Sequence, residues 1–133
     1  MKPRLWMLAL AGLIWLGACE STPHEVVLNE SDNGSAITLK AGQVLVVRLA
    51  ANPTTGYAWN LSAVDEAVLR PAGEAGYTPE PASQERLGAG GTAEWRFMAA
   101  GSGATTLKLV YARPWEKPPQ PVQTFSVTVT VQP

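Results

Sequence analysis

The sequence predicts an all-β protein, an immunoglobulin-like antiparallel β-sandwich of seven to eight strands. Two observations carry this. Apolar and polar residues alternate with a period of two over most of the chain, the pattern of strands with one face on a core and the other in water. In addition, 11 prolines and 12 glycines punctuate the 133 residues too often for long helices. Only Ser62 to Leu69 has room for a helical turn or two. No repeat and no second domain is visible.

The N-terminal residues stand apart from this pattern. Lys2 and Arg4 precede an apolar run from Leu5 to Ala18. That run is shorter than the ~20 residues of a membrane-spanning helix and suits a secretory h-region. It ends in Leu16-Gly17-Ala18-Cys19, which resembles the lipobox of bacterial lipoproteins, where the cysteine is acylated and becomes the new N-terminus. An ordinary signal peptide and a short uncleaved anchor are the alternatives. The expected division is a lipoprotein signal peptide at 1–18, a lipidated Cys19 with a tether at 19–25, and one immunoglobulin-like domain at 26–133. Glu20 follows Cys19 where an aspartate would favour inner-membrane retention, so the expected location is the bacterial cell envelope, with the outer membrane favoured over the inner.

The strands follow in order. Glu25 to Leu28 and Ala36 to Leu39 are short candidates. Gln43 to Leu49 places Leu45, Val47 and Leu49 on one face, and Tyr57 to Leu61 follows a turn. Val68 to Arg70 is the candidate for the strand labelled D in such sandwiches. Ala72 to Leu87, rich in Gly, Pro and Glu, reads as a mobile excursion. Thr92 to Met98 puts Trp95 and Phe97 together, and Thr105 to Tyr111 alternates Leu107, Leu109 and Tyr111 against Thr106 and Lys108. The last strand sets Phe125, Val127, Val129 and Val131 against Thr124, Ser126, Thr128 and Thr130.

Composition excludes several functions. The formal net charge of −1, before any loss of Lys2 and Arg4, does not suit nucleic-acid binding. The single histidine, His24, lies in the tether, and the single cysteine is the expected lipid site. No Ser-His or Cys-His pair can therefore form within the domain. One histidine and scattered carboxylates do not make a metal site, and Glu94 and Glu116 read as solvated. No catalytic residue, metal or cofactor is expected, and a monomer is the default.

Three loops hold the remaining information. Asn52-Pro53-Thr54-Thr55-Gly56-Tyr57 is strong turn chemistry. Pro53 fixes φ, Asn52 bonds to backbone two residues on, and Gly56 permits a positive φ. Thr54 and Thr55 are expected at the tip with their hydroxyls outward. Tyr57 reads as a core residue with its hydroxyl at the rim, and Trp59 as core. Gly88-Ala89-Gly90-Gly91 has almost no side chains, so it is either a flexible hairpin or a place for close backbone approach; no helix follows, which rules out a phosphate loop. Leu87 before it is either an exposed contact or a plug. Arg113-Pro114-Trp115 lies in a loop that also holds Pro118, Pro119 and Pro121. Trp and Arg dominate interface hot spots, and a Pro-stiffened loop loses little entropy on docking. Trp115 is thus expected to make contact rather than fold back over the sandwich. With one strand between Leu61 and Gly88, all three loops share one end; two strands there would send the first loop to the end opposite the other two.

In this order the loops resemble the motifs NPTTG(F/Y), GxGG and RPW of the chagasin-type inhibitors of papain-like cysteine peptidases. The resemblance runs from Val26 to Val131. It implies an immunoglobulin-like, tight, reversible, non-covalent inhibitor that plugs the cleft of a papain-like cysteine peptidase. Asn52, Pro53, Thr54, Thr55, Gly56 and Tyr57 would sit over the catalytic cysteine. Leu87, Gly88, Ala89, Gly90 and Gly91 would run along one side, and Arg113, Pro114 and Trp115 would grip the other. The alternative is an envelope-anchored adhesion or assembly module that uses the same loop edge for another protein.

Overall fold

The computed structural model describes residues 24–81 and 90–133. The expected signal peptide at 1–18, Cys19, Leu87, Gly88 and Ala89 lie outside the described residues. Among the described residues, nine strands form two sheets: β1 (Glu25–Leu28), β2 (Ala36–Lys40), β3 (Val44–Ala51), β4 (Ala58–Ala63), β5 (Leu69–Pro71), β6 (Gly76–Pro79), β7 (Gly91–Ala99), β8 (Gly103–Ala112) and β9 (Gln123–Gln132). One sheet runs β1-β3-β7-β5 with β6 also on β7, and the other runs β2-β9-β8-β4. Single 3-10 turns span Glu30–Asp32 and Pro53–Thr55. Of Ser62 to Leu69, the expected helical region, Ser62 and Ala63 belong to β4, and Asp65 to Leu69 closes one turn through Leu69 N–H donating to the Asp65 carbonyl at 2.9 Å.

The inward faces are those that alternation predicts. Leu45, Val47 and Leu49 of β3, Phe97 of β7, Leu107 and Leu109 of β8, and Phe125, Val127, Val129 and Val131 of β9 are buried in one cluster. Burying such side chains stabilises the fold by about 1.5–3 kcal/mol each. Thr105 is the buried polar residue among those described, and its hydroxyl accepts the Asp65 N–H at 2.8 Å.

Two features depart from the expectation. The sandwich is not wholly antiparallel, because the edge strands β1 and β2 pair parallel with β3 and β9. Period two says which face a residue takes, not which direction its neighbour runs. Further, the region between β4 and β7 holds two strands rather than one, and β6 occupies part of the stretch taken as an excursion. Both strands run antiparallel to β7: Leu69 to Pro71 lies opposite Ala99 to Phe97, and Gly76 to Pro79 opposite Glu94 to Gly91. The jog between them stays on the sheet, with Ala72 N–H on the Arg96 carbonyl at 2.8 Å. They act as one interrupted strand, so the loop parity is that of a single strand D.

Candidate functional site

The register brings the motif loops to one end. Ala51 pairs with Gly91, so the first loop leaves β3 beside the residue where β7 begins. Ala58 pairs with Ala112, so the same loop re-enters β4 beside the end of β8, where Arg113 follows. An open cavity of about 510 Å³ lies between the loops, lined among others by Asn52, Thr55, Tyr57, Gly90, Gly91 and Arg113.

The first loop is a capped 3-10 turn. The Asn52 side chain accepts the Thr54 N–H at 3.2 Å, Pro53 stands at the first helical position, and Gly56 closes the turn at φ 81°. Proline's fixed φ and missing N–H suit that first position. The threonine hydroxyls turn back rather than outward: Thr54 Oγ1 lies 2.6 Å from Asn52 Oδ1, and Thr55 Oγ1 donates to the Asn52 carbonyl at 2.7 Å. Thr54 and Thr55 are exposed at the tip as expected, but their polar groups hold the loop shape.

Beneath the loop stands a stack of aromatic rings. Tyr57 and Trp59 both pack on Tyr111, with ring centroids 5.4 and 5.1 Å away. The Tyr111 hydroxyl accepts the Asn52 N–H at 2.9 Å, and the Trp59 indole N–H donates to the Ala50 carbonyl at 3.0 Å. Tyr111 was legible as a core residue; its hold on the first loop was not.

The third loop crosses to the first. Arg113 Nε donates to the Thr55 carbonyl at 3.4 Å, and the guanidinium lies 4.5 Å from the Tyr57 ring centroid and 5.9 Å from that of Trp115. Glu116 lies 3.6 Å from Arg113, so it is paired rather than solvated. Trp115 is 65% exposed, yet its ring edge rests against Gly56, where any Cβ would overlap the indole. The tryptophan is therefore both presented to solvent and seated, and it does not cover the end of the sandwich. Pro114 is exposed beside it.

In the second loop, Gly90 and Gly91 are tight against their own chain. A Cβ on Gly90 would stand 2.9 Å from the Ala51 carbonyl oxygen, and one on Gly91 would overlap the Thr78 carbonyl and stand 2.7 Å from the Tyr77 hydroxyl. Gly91 is buried, so its lack of a side chain serves the β6–β7 pairing.

The Chagasin family peptidase inhibitor I42 profile matches residues 38–129, the span that holds all three loops and the strands from β3 to β8. The chain belongs to the chagasin family. It is a peptidase inhibitor and not an enzyme. This chagasin-family protein is 31% identical to chagasin of Trypanosoma cruzi over 108 residues, covering 78% of this chain and 94% of that one. It is 27% identical to amoebiasin-2 of Entamoeba histolytica, covering 86% and 92%. Among solved structures, the cysteine protease inhibitor EhICP2 of Entamoeba histolytica matches with a TM-score of 0.73 at 26% identity. That match covers 84% of this chain and all of the other. In the chagasin-family chain described here, the motif residues lie where the register brings β3, β4, β7 and β8 together.

Proposed function

We propose that the protein inhibits papain-like cysteine peptidases by inserting the loop end of the sandwich into the active-site cleft as a pre-shaped wedge. The carrying observation is the junction of the first and third loops. Trp115 stands exposed on Gly56, while Arg113 ties Thr55 and Tyr57 from below. A loop whose hydrogen bonds are already made loses little freedom on docking. The 3-10 turn at Pro53–Thr55 is not an extended strand, so it fills the cleft without offering a peptide bond in a cleavable pose. In this reading Thr54, Thr55 and Gly56 face the catalytic cysteine; the loop from Leu87 to Gly91 runs along one wall of the cleft, and Arg113, Pro114 and Trp115 meet the other. Titration against papain and a cathepsin L-like enzyme tests this. Stoichiometric, reversible inhibition is expected, and no inhibition at micromolar concentration by folded protein would refute it.

The same reading includes attachment to the bacterial cell envelope by lipid on Cys19. The parallel register sets Glu25 beside Val44, at the start of β3, whereas the first loop leaves the far end of that strand at Ala51. Eight strand residues separate the two ends by about 25 Å. A tether entering there directs the wedge away from the membrane. Incorporation of labelled lipid, abolished by Cys19→Ser, is the expected result; label retained in that variant would refute the anchor.

A further inference from the structure

Four strand edges of the two sheets lack a partner on one side among the described residues, and three of them carry the residues that discourage pairing. Unpaired edges invite another strand, and proteins blunt them with charge, proline, bulges or shortness. β1 carries Glu25, β2 carries Lys40, and the β5–β6 edge carries Arg70, Pro71 and Pro79. β4, the edge of the second sheet, reads Ala58-Trp59-Asn60-Leu61-Ser62-Ala63, with neither charge nor proline. A register shift between Leu61 and Ala63 blunts its far half. The open stretch, Ala58 to Leu61, is therefore the half that adjoins the first loop.

A groove flanks this stretch on each face. On the outer face, Asn60, Ser62, Val110 and Ala112 form a floor beneath Pro114 and Pro119, enclosing about 330 Å³. On the inner face, between β4 and β6, lies a smaller groove of about 160 Å³, lined by Pro53, Tyr57, Trp59, Tyr77 and Trp95 among others. The Trp95 indole N–H is buried without an acceptor among the described residues. An edge with a groove on either face is what strand addition requires, because backbone bonds supply affinity and alternate side chains enter the two sides.

We propose that the Ala58–Leu61 edge receives, by strand addition, an extended uncharged segment of the peptidase that the wedge has engaged, with alternating apolar side chains in the two grooves. This rests on the wedge reading and extends it. The assignment to the peptidase follows from continuity. Both grooves reach the wedge, one through Pro53 and Tyr57 and the other through Arg113 and Pro114, so an occupant of the edge lies next to whatever occupies the loops. The Asn60 side-chain amide, which donates to the Ala58 carbonyl at 3.0 Å, occupies part of the edge and gives way on pairing.

The test uses papain with the wild-type protein and the variants Ala58→Lys and Asn60→Lys, with Thr128→Lys as a control on the outer face near the opposite edge of the same sheet. Each edge variant is expected to raise the inhibition constant roughly tenfold or more, since an unpaired charge in an interface is costly, while the control leaves it unchanged. Amide exchange at Ala58 and Asn60 is expected to slow in the complex. Wild-type inhibition with unchanged constants in both edge variants overturns the edge and leaves the wedge standing. Failure of the wild type to inhibit overturns the wedge and the edge with it. Concentration-dependent dimers of the inhibitor alone, dispersed by Ala58→Lys, would assign the edge to a second copy and overturn the proposal.

Discussion

At Gly56 two demands meet in one residue. Its φ of 81° lies in the left-handed region, and the Trp115 indole fills the space a Cβ would need. Gly34 has a similar φ of 84° with open space around it, so the pair separates backbone strain from contact. Gly34→Ala is expected to lower stability by about 1–2 kcal/mol, the cost of a left-handed alanine, and to leave inhibition intact. Gly56→Ala is expected to lower stability similarly and to weaken inhibition as well, because the tryptophan must move; unfolding midpoints and inhibition constants measured together check this. Trp115 itself is expected to dominate the interface. Trp115→Ala should cost ~2 kcal/mol or more, roughly a thirtyfold rise in inhibition constant. Thr54→Ala removes a hydroxyl engaged within its own loop and should cost less. Equal constants for the two variants would sink this ranking.

At the scale of elements, β7 is the strand on which the first sheet is organised. It pairs with β3, β5 and β6, and its inward Trp95 and Phe97 stack with centroids 6.1 Å apart. Its outward face carries a ladder of charge. Glu94, opposite Arg48, bonds to Arg48 and Arg96 at 3.0 and 2.9 Å, and Arg96 reaches Glu25 on β1 at 3.1 Å. The Arg48 guanidinium, with Arg96 beside it, holds the Glu94 carboxyl below its ordinary value of 4.5 against an opposing desolvation. A carboxylate whose pKa is lowered in the folded state stabilises fully above its unfolded value, and that contribution fades as pH falls through the folded value. Glu94→Gln is therefore expected to be less stable than wild type at neutral pH. The difference in urea midpoint should narrow below pH 4.5; a constant difference across pH would contradict the ladder's role.

For the whole molecule, the strands and the core followed closely from period two, since Phe125 to Val131 and Leu45 to Leu49 can bury only one face. Strand β6 was missed for a physical reason. All four of its residues are exposed, so no alternation marks it, and it exists because Gly91 lets β7 approach its backbone. The parallel edges escaped notice because alternation is blind to strand direction. In the site, Pro53, Asn52 and Gly56 announced their turn through local chemistry. The contacts of Arg113 with Thr55 and Tyr57 join residues far apart in sequence and had no local signature.

Local stereochemistry and alternation thus set what one segment can decide alone: which face is apolar, where the chain must turn, which catalytic inventories are missing, and which motifs invite a family resemblance. Whether the three loops share an end was open in the sequence, because it depended on the number and direction of the strands between Leu61 and Gly88. The tertiary structure decided it by laying β5 and β6 along β7 in one direction. It likewise decided that Trp115 is seated while exposed, because only packing brings Gly56 beneath its ring.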